Sequence, residues 1–182
     1  MKILVSLLLS LSVLSACGGQ WQTNYVAPVP TEVSRDWRLA AVNVFVPDTL
    51  TVSEANSFTP EADIVWREDP LSTGQTRYEQ VDAILTDGIR RGASGLSGAR
   101  DIKIEATVDT FHALSEKARY GLSSSGVHNI GYVVQVFDAR TGAPLTEPDL
   151  IQADLVAFVG DQALEAEAQG LTQKVRITEH IA

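Results

Sequence analysis

The sequence predicts an α+β domain: one antiparallel sheet with helices packed on one face. Three observations carry this. Residues 101–109 and 127–138 alternate apolar and polar with period two. Residues 73–92 switch to the 3.6-residue period of an amphipathic helix. The order along the chain is strand, irregular stretch, helix, three strands, helix, which suits a sheet with its helices segregated to one side.

The first element is not part of that domain. Met1-Lys2 is a short positive start, and residues 3–16, ILVSLLLSLSVLSA, are apolar apart from serines. The stretch is shorter than the roughly 20 apolar residues a spanning helix needs. A charged start, a short apolar run and a small-residue end are the parts of a secretory signal peptide. Leu14-Ser15-Ala16-Cys17, followed by Gly18-Gly19, resembles the lipobox of bacterial lipoproteins. The resemblance implies cleavage before Cys17, removal of residues 1–16 and lipidation of the Cys17 thiol. It also accounts for the chain's single cysteine. Two or three acyl chains, at about 0.8 kcal/mol per buried CH₂, anchor a protein stably without a spanning helix. Gly18, where an Asp would mark inner-membrane retention in enteric bacteria, points to the periplasmic face of the outer membrane. An ordinary secretory signal with an unrelated Cys is the alternative.

Residues 17–36 show no period and hold Pro28 and Pro30. They read as the lipidated Cys and a flexible tether, leaving 37–182 as a single periplasmic domain. Trp21 and Tyr25 could rest at the membrane interface, although a mobile tail explains them as well.

Within the domain, residues 38–46 are rich in β-branched side chains and end at Pro47-Asp48, which reads as a strand. Residues 49–72 are irregular, with a short strand at 63–66. In the helix of residues 73–92, Tyr78, Val81, Ile84, Leu85, Gly88 and Ile89 form the apolar face; Arg77, Glu79, Asp82, Asp87 and Arg90 take the other side. Gly88 costs about 1 kcal/mol against Ala in a helix, so a close approach to a sheet is expected there. Gly92, Gly95 and Gly98 end the helix.

In the next strand Ile102, Ile104, Ala106 and Val108 face the core, while Lys103, Glu105, Thr107 and Asp109 face solvent. Residues 127–138 form its hairpin partner across a flexible tip at 122–126. Residues 138–142 are a turn and 150–159 a third strand. Asp161 suits an N-cap for an Ala/Glu-rich helix at 163–168. Residues 171–182 fit a helix better than a strand.

The composition narrows the function. With 14 Lys+Arg against 23 Asp+Glu the formal charge is −9, which argues against nucleic acid, whose phosphates need basic clusters. One Cys excludes an internal disulfide framework and a Cys-rich zinc site. His112, His128 and His180 lack ligand spacing; His112 and His128 could meet across the hairpin, with Glu116 as a third group at most. Ser94 and Ser97 in GASGLSG miss the nucleophile-elbow spacing, and no Lys follows the glycines as a phosphate loop requires. Glu105 and Asp109 share a strand face but lie roughly 13 Å apart, too far to act on one bond. Glu54, Glu61, Asp63, Glu68 and Asp69 read as a solubilising acidic patch, or as a partner or cation surface. No catalytic residue, metal ligand or cofactor-binding residue is assigned, and Cys17 is the one site residue.

The turn at residues 136–145, VFDARTGAPL, between alternating strands, resembles a feature of small α+β periplasmic lipoproteins, among them transport-auxiliary lipoproteins that partner lipid-trafficking systems. Over residues 75–158 that resemblance is one of pattern. The expected function is a non-catalytic accessory or scaffold in envelope assembly or transport, held to the membrane by N-terminal acyl chains and meeting envelope proteins. The alternative is a small-molecule or lipid-binding module with a cavity lined by Ile84, Ile104, Val134 and Leu155. A hydrolase built on clustered carboxylates is a third possibility.

Overall fold

The computed structural model describes residues 28–182. The signal segment, Cys17, Trp21 and Tyr25 lie outside the described residues. The elements are α1 (Thr31–Ser34), β1 (Trp37–Phe45), β2 (Ile64–Val65), α2 (Arg77–Gly92), a 3-10 turn (Ala93–Gly95), β3 (Arg100–His112), α3 (Glu116–Gly121), β4 (Gly126–Asp138), β5 (Asp149–Gln152), β6 (Leu155–Ala157), α4 (Gly160–Ala168) and α5 (Gln173–Ile181).

The class is α+β, and the six-stranded sheet is mostly antiparallel. Its spine is the long hairpin of β3 and β4, with Ile104 opposite Val136 and Val108 opposite Tyr132. The strand order is β1-β3-β4-β5; β2 also pairs with β3, and β6 with β4. The β1 side departs from the purely antiparallel sheet expected, because β1 and β2 run parallel to β3. The cause is the connection: α2 lies between β1 and β3, and a helical crossover returns the chain in the same direction.

Period-two alternation sets the faces as expected. Ile102, Ile104, Ala106 and Val108 are buried, and Lys103, Glu105, Thr107 and Asp109 stand on the open side. One row of that open face, Phe45, Thr107, Val133 and Leu150, runs straight across four strands in register. The core side carries Trp66, packed edge-to-face on Phe111 with ring centroids 5.8 Å apart, and the apolar face of α2.

Helix α2 starts at Thr76, whose side chain accepts from the Glu79 N–H while the Glu79 carboxylate accepts from the Thr76 N–H. That reciprocal box satisfies two otherwise orphan donors. Arg77, placed on the solvent side by its charge, is buried, because its guanidinium is consumed by Glu54, Gln80 and the Asp69 carbonyl. The close approach at Gly88 is to α5 rather than to the sheet. A Cβ there would lie 2.7 Å from Ile181 Cγ2.

The third strand is split in two. At the break Asp154 Oδ1 accepts the Ile130 N–H at 3.2 Å, so a side chain replaces the strand's own carbonyl. Helix α4 begins one residue before Asp161, with Val159 as N-cap, so Asp161 sits in the first turn instead of capping it. The last segment is helical, with the Thr172 side chain accepting from the Val175 N–H. Helix α3, within the hairpin connection, was not signalled by any period. Its cap is Ser115, which accepts from the Ala118 N–H at 3.1 Å and donates to the Ser57 carbonyl at 2.5 Å. Residues 31–34 of the expected tether form one helical turn with no buried residue.

Candidate functional site: an apolar groove beside the linker

Where the core face of the sheet reaches β5, a groove of about 540 Å³ opens. Val134 and Val136 of β4 and Ile151 of β5 form its floor, Leu145 and Pro148 one wall, and Val29 and Val33 with Pro28 and Pro30 the other. Helix α2 packs against α5 and β1, which leaves the β5 end to the short segment at residues 28–34. Val134, Leu145 and Ile151 are only partly buried, and Val29 and Val33 are exposed.

Three polar groups of the groove are already engaged. The Leu145 N–H donates to the Val136 carbonyl at 2.8 Å. The Thr146 hydroxyl accepts the Val136 N–H at 3.0 Å, and the Thr146 carbonyl accepts from Gln135 Nε2 at 2.9 Å. The stretch 145–146 thereby continues the hydrogen bonding of β4 before β5 begins. Glu147 and Asp149 are the charged lining residues, and the lining holds no His, Cys, Lys or Arg. Chemically this is a place to exclude water from something apolar.

The cavity expected from the sequence is displaced. Of Ile84, Ile104, Val134 and Leu155, Val134 alone lines the groove. The other three are packed in the core. The groove joins residues 28–33 to residues 134–151, about a hundred positions apart, so no local pattern could reveal it. The one available signal was Leu145 and Pro148 as apolar residues inside a turn-rich loop.

The remaining sequence candidates fall in separate places. His112 Nε2 lies 3.0 Å from the Pro60 carbonyl. Its cross-strand partner is Asn129, so strand alternation turns His128 to the opposite face. His128 is fully buried with neither ring nitrogen hydrogen-bonded. Burial, followed by the nearby Arg176 and Arg119, pushes its pKa down to about 3. His180 lies on α5, and Glu116 is bound to Arg67 at 2.7 Å. Among the described residues no three His, Cys, Asp or Glu side chains are grouped to hold a metal. Ser94 sits in the 3-10 turn and Ser97 bridges to Arg38. Glu105 is paired with Lys103 at 2.5 Å.

Of the acidic set, Glu61 is exposed, while Glu54, Asp63, Glu68 and Asp69 form a network of ties. Glu54 binds Arg77 and Arg67. Asp63 accepts from the Thr51 N–H and hydroxyl, and these bonds hold its carboxyl below the usual range. Glu68 binds Arg119 and accepts the Gln173 and Lys174 N–H groups at the start of α5. Asp69 binds Lys174 at 2.7 Å. The turn motif is structural as well. Asp138 accepts from the Thr141 N–H and hydroxyl and from Arg100, which together drive its carboxyl well below the usual carboxylate range.

Residues 37–182 match DUF6778, a family of unknown function. No curated protein matches the chain. Among solved structures, a candidate lipoprotein of Caulobacter crescentus CB15 is similar at 14% identity and a TM-score of 0.34, over 55% of this chain and 73% of that one. The PelC dodecamer of Paraburkholderia phytofirmans is similar at 13% identity and a TM-score of 0.34, over 87% and 96%. A single-residue variant of it gives 13% identity and 0.35, over 88% and 95%. At these scores the likenesses carry nothing about function.

Proposed function

This chain belongs to DUF6778, a family of unknown function, and we propose that it is a lipid-anchored protein of the bacterial envelope, held through acylated Cys17 at the periplasmic face of the outer membrane, where it serves as a non-catalytic accessory or scaffold in envelope assembly or transport. The observation that carries the reading is Leu14-Ser15-Ala16-Cys17 behind a charged start and an apolar run too short to span, with the chain's single Cys at the cleavage position. Among the described residues no helix is long and apolar enough to cross a membrane. The non-catalytic part is supported by how the carboxylates are used. Glu54, Glu68, Glu116 and Glu167 are each committed to an arginine.

Metabolic labelling tests the anchor. Labelled palmitate should enter the full-length protein, and Cys17→Ser should abolish it. Label that survives the substitution would contradict the reading.

A second reading, a lipid or small-molecule binding module, is favoured by one observation: the apolar groove between residues 28–33 and the β4–β5 side of the sheet.

A further inference from the structure

We propose that this groove holds one hydrocarbon chain of a bilayer phospholipid, an inference that rests on the anchoring of Cys17. A groove of about 540 Å³ falls within the roughly 300–1,000 Å³ of small-ligand sites. Its lining is apolar on three sides, with Val29, Val33, Val134, Leu145 and Ile151 only partly covered by protein.

The chemistry of the walls selects the occupant. Three lining residues, Pro28, Pro30 and Pro148, have no N–H to offer. The Thr146 hydroxyl, the Thr146 carbonyl and the Leu145 N–H are each already bonded to β4. A peptide laid in the groove would bring carbonyls and N–H groups that find few partners, at a cost of about 1–3 kcal/mol for each one left unsatisfied. A methylene chain brings none, and each buried CH₂ contributes about 0.8 kcal/mol. Glu147 places a carboxylate in the lining. Negative charge there disfavours taking a free fatty acid whole, and favours a chain whose headgroup stays with the bilayer.

Position supplies the source. Pro28, on the groove wall, is eleven residues beyond Cys17. At no more than about 3.3–3.6 Å per residue, that places the groove within roughly 40 Å of the anchor along the chain. The apolar groove therefore belongs to the part of the domain tied most closely to the membrane.

Photo-crosslinking of the full-length protein in cells tests this. Cells are fed a clickable fatty acid carrying a diazirine, which they build into phospholipid and into the lipoprotein anchor, and are then irradiated. The tryptic peptides 120–140 and 141–174 should carry adducts with the mass of a phospholipid, located at residues 134–151. Ile151→Glu should reduce those adducts at least tenfold. Val133→Glu, one residue along β4 from Val134 and on the opposite face, should leave them in place and report that the fold survives. The Cys17 label, read in the same sample, should be unchanged in both variants. Groove adducts joined to the Cys17 peptide would overturn the phospholipid as source. Adducts that Ile151→Glu does not reduce, or no groove adduct while Cys17 is labelled, would overturn the groove as the site and leave the anchor standing. An unlabelled Cys17 would remove the anchoring reading itself.

Discussion

Arg77 and Glu54 meet as a two-pronged pair: Arg77 Nε lies 2.7 Å from one carboxylate oxygen of Glu54 and Nη2 lies 2.9 Å from the other. Arg77 is 7% exposed at the start of α2, and Glu54 comes from the irregular stretch before it. One ion pair thereby clamps a loop without regular structure onto the helix. The Arg77 bond is also the leading cause that holds the Glu54 carboxyl below its usual range.

Glu54→Ala leaves a buried guanidinium short of its anion. Bonds to charged groups contribute about 1.5–3 kcal/mol net, and Arg77 keeps Gln80 and the Asp69 carbonyl. The expected loss is about 2 kcal/mol, read as a lower urea midpoint. A double-mutant cycle with Arg77→Met should show coupling of about 1 kcal/mol or more. Additive effects would contradict the clamp.

Gly88→Ala should destabilise despite the better helix former. The gain in propensity is about 1 kcal/mol, but the new methyl meets Ile181 at 2.7 Å and 2.8 Å and the Thr178 carbonyl at 3.0 Å. Overpacking of that kind costs about 1–3 kcal/mol. Gly95→Ala, with open space around the site, should stay within about 0.5 kcal/mol. Thermal melts of the two variants check the ranking.

His128 should make the domain sensitive to mild acid. Its pKa falls from 6.5 to about 3 on folding, so below pH 6.5 the unfolded chain takes up a proton that the folded one refuses. Stability is therefore full above pH 6.5 and declines as pH drops toward 3, by about 1.4 kcal/mol per unit. Between pH 6.5 and 5 the loss is about 2 kcal/mol. His128→Leu should flatten that limb, measured as the denaturation midpoint against pH. The further losses from Glu54, Asp63, Asp101 and Glu116, whose carboxyls are lowered, belong below about pH 4.5.

The two faces of β3 predict opposite outcomes for adjacent residues. Ile104→Ala should cost about 2–5 kcal/mol, because Ile104 is in the core. Glu105→Ala should change stability by no more than about 0.5 kcal/mol, since its pair with Lys103 stands on the open face. Equal shifts in denaturation midpoint would contradict the register.

The legible elements were those whose own period repeats at least twice. β3 and β4 alternate over a dozen residues, and α2 turns its apolar side through four turns, so their inward residues could be named in advance. The direction of β1 was not legible, because it depends on the route the chain takes through α2. Arg77 looked solvated because its partners, Glu54 and the Asp69 carbonyl, lie in a stretch with no period. Helix α3 starts on one capping bond, and its other ties run to distant stretches: Ser115 to Ser57, 58 residues away, Glu116 to Arg67 and Arg119 to Glu68. Of the groove, Val134 was named as a cavity residue, but its partners were not. Nothing local connects Val33 with Ile151.

Anchoring turns on the modification of Cys17. Intact and peptide mass spectrometry of the protein purified from membranes reads it directly. The purified chain should begin at Cys17, with a diacylglyceryl group on its sulfur. A chain that retains residues 1–16, or one that begins elsewhere with an unmodified Cys17, would contradict the anchor.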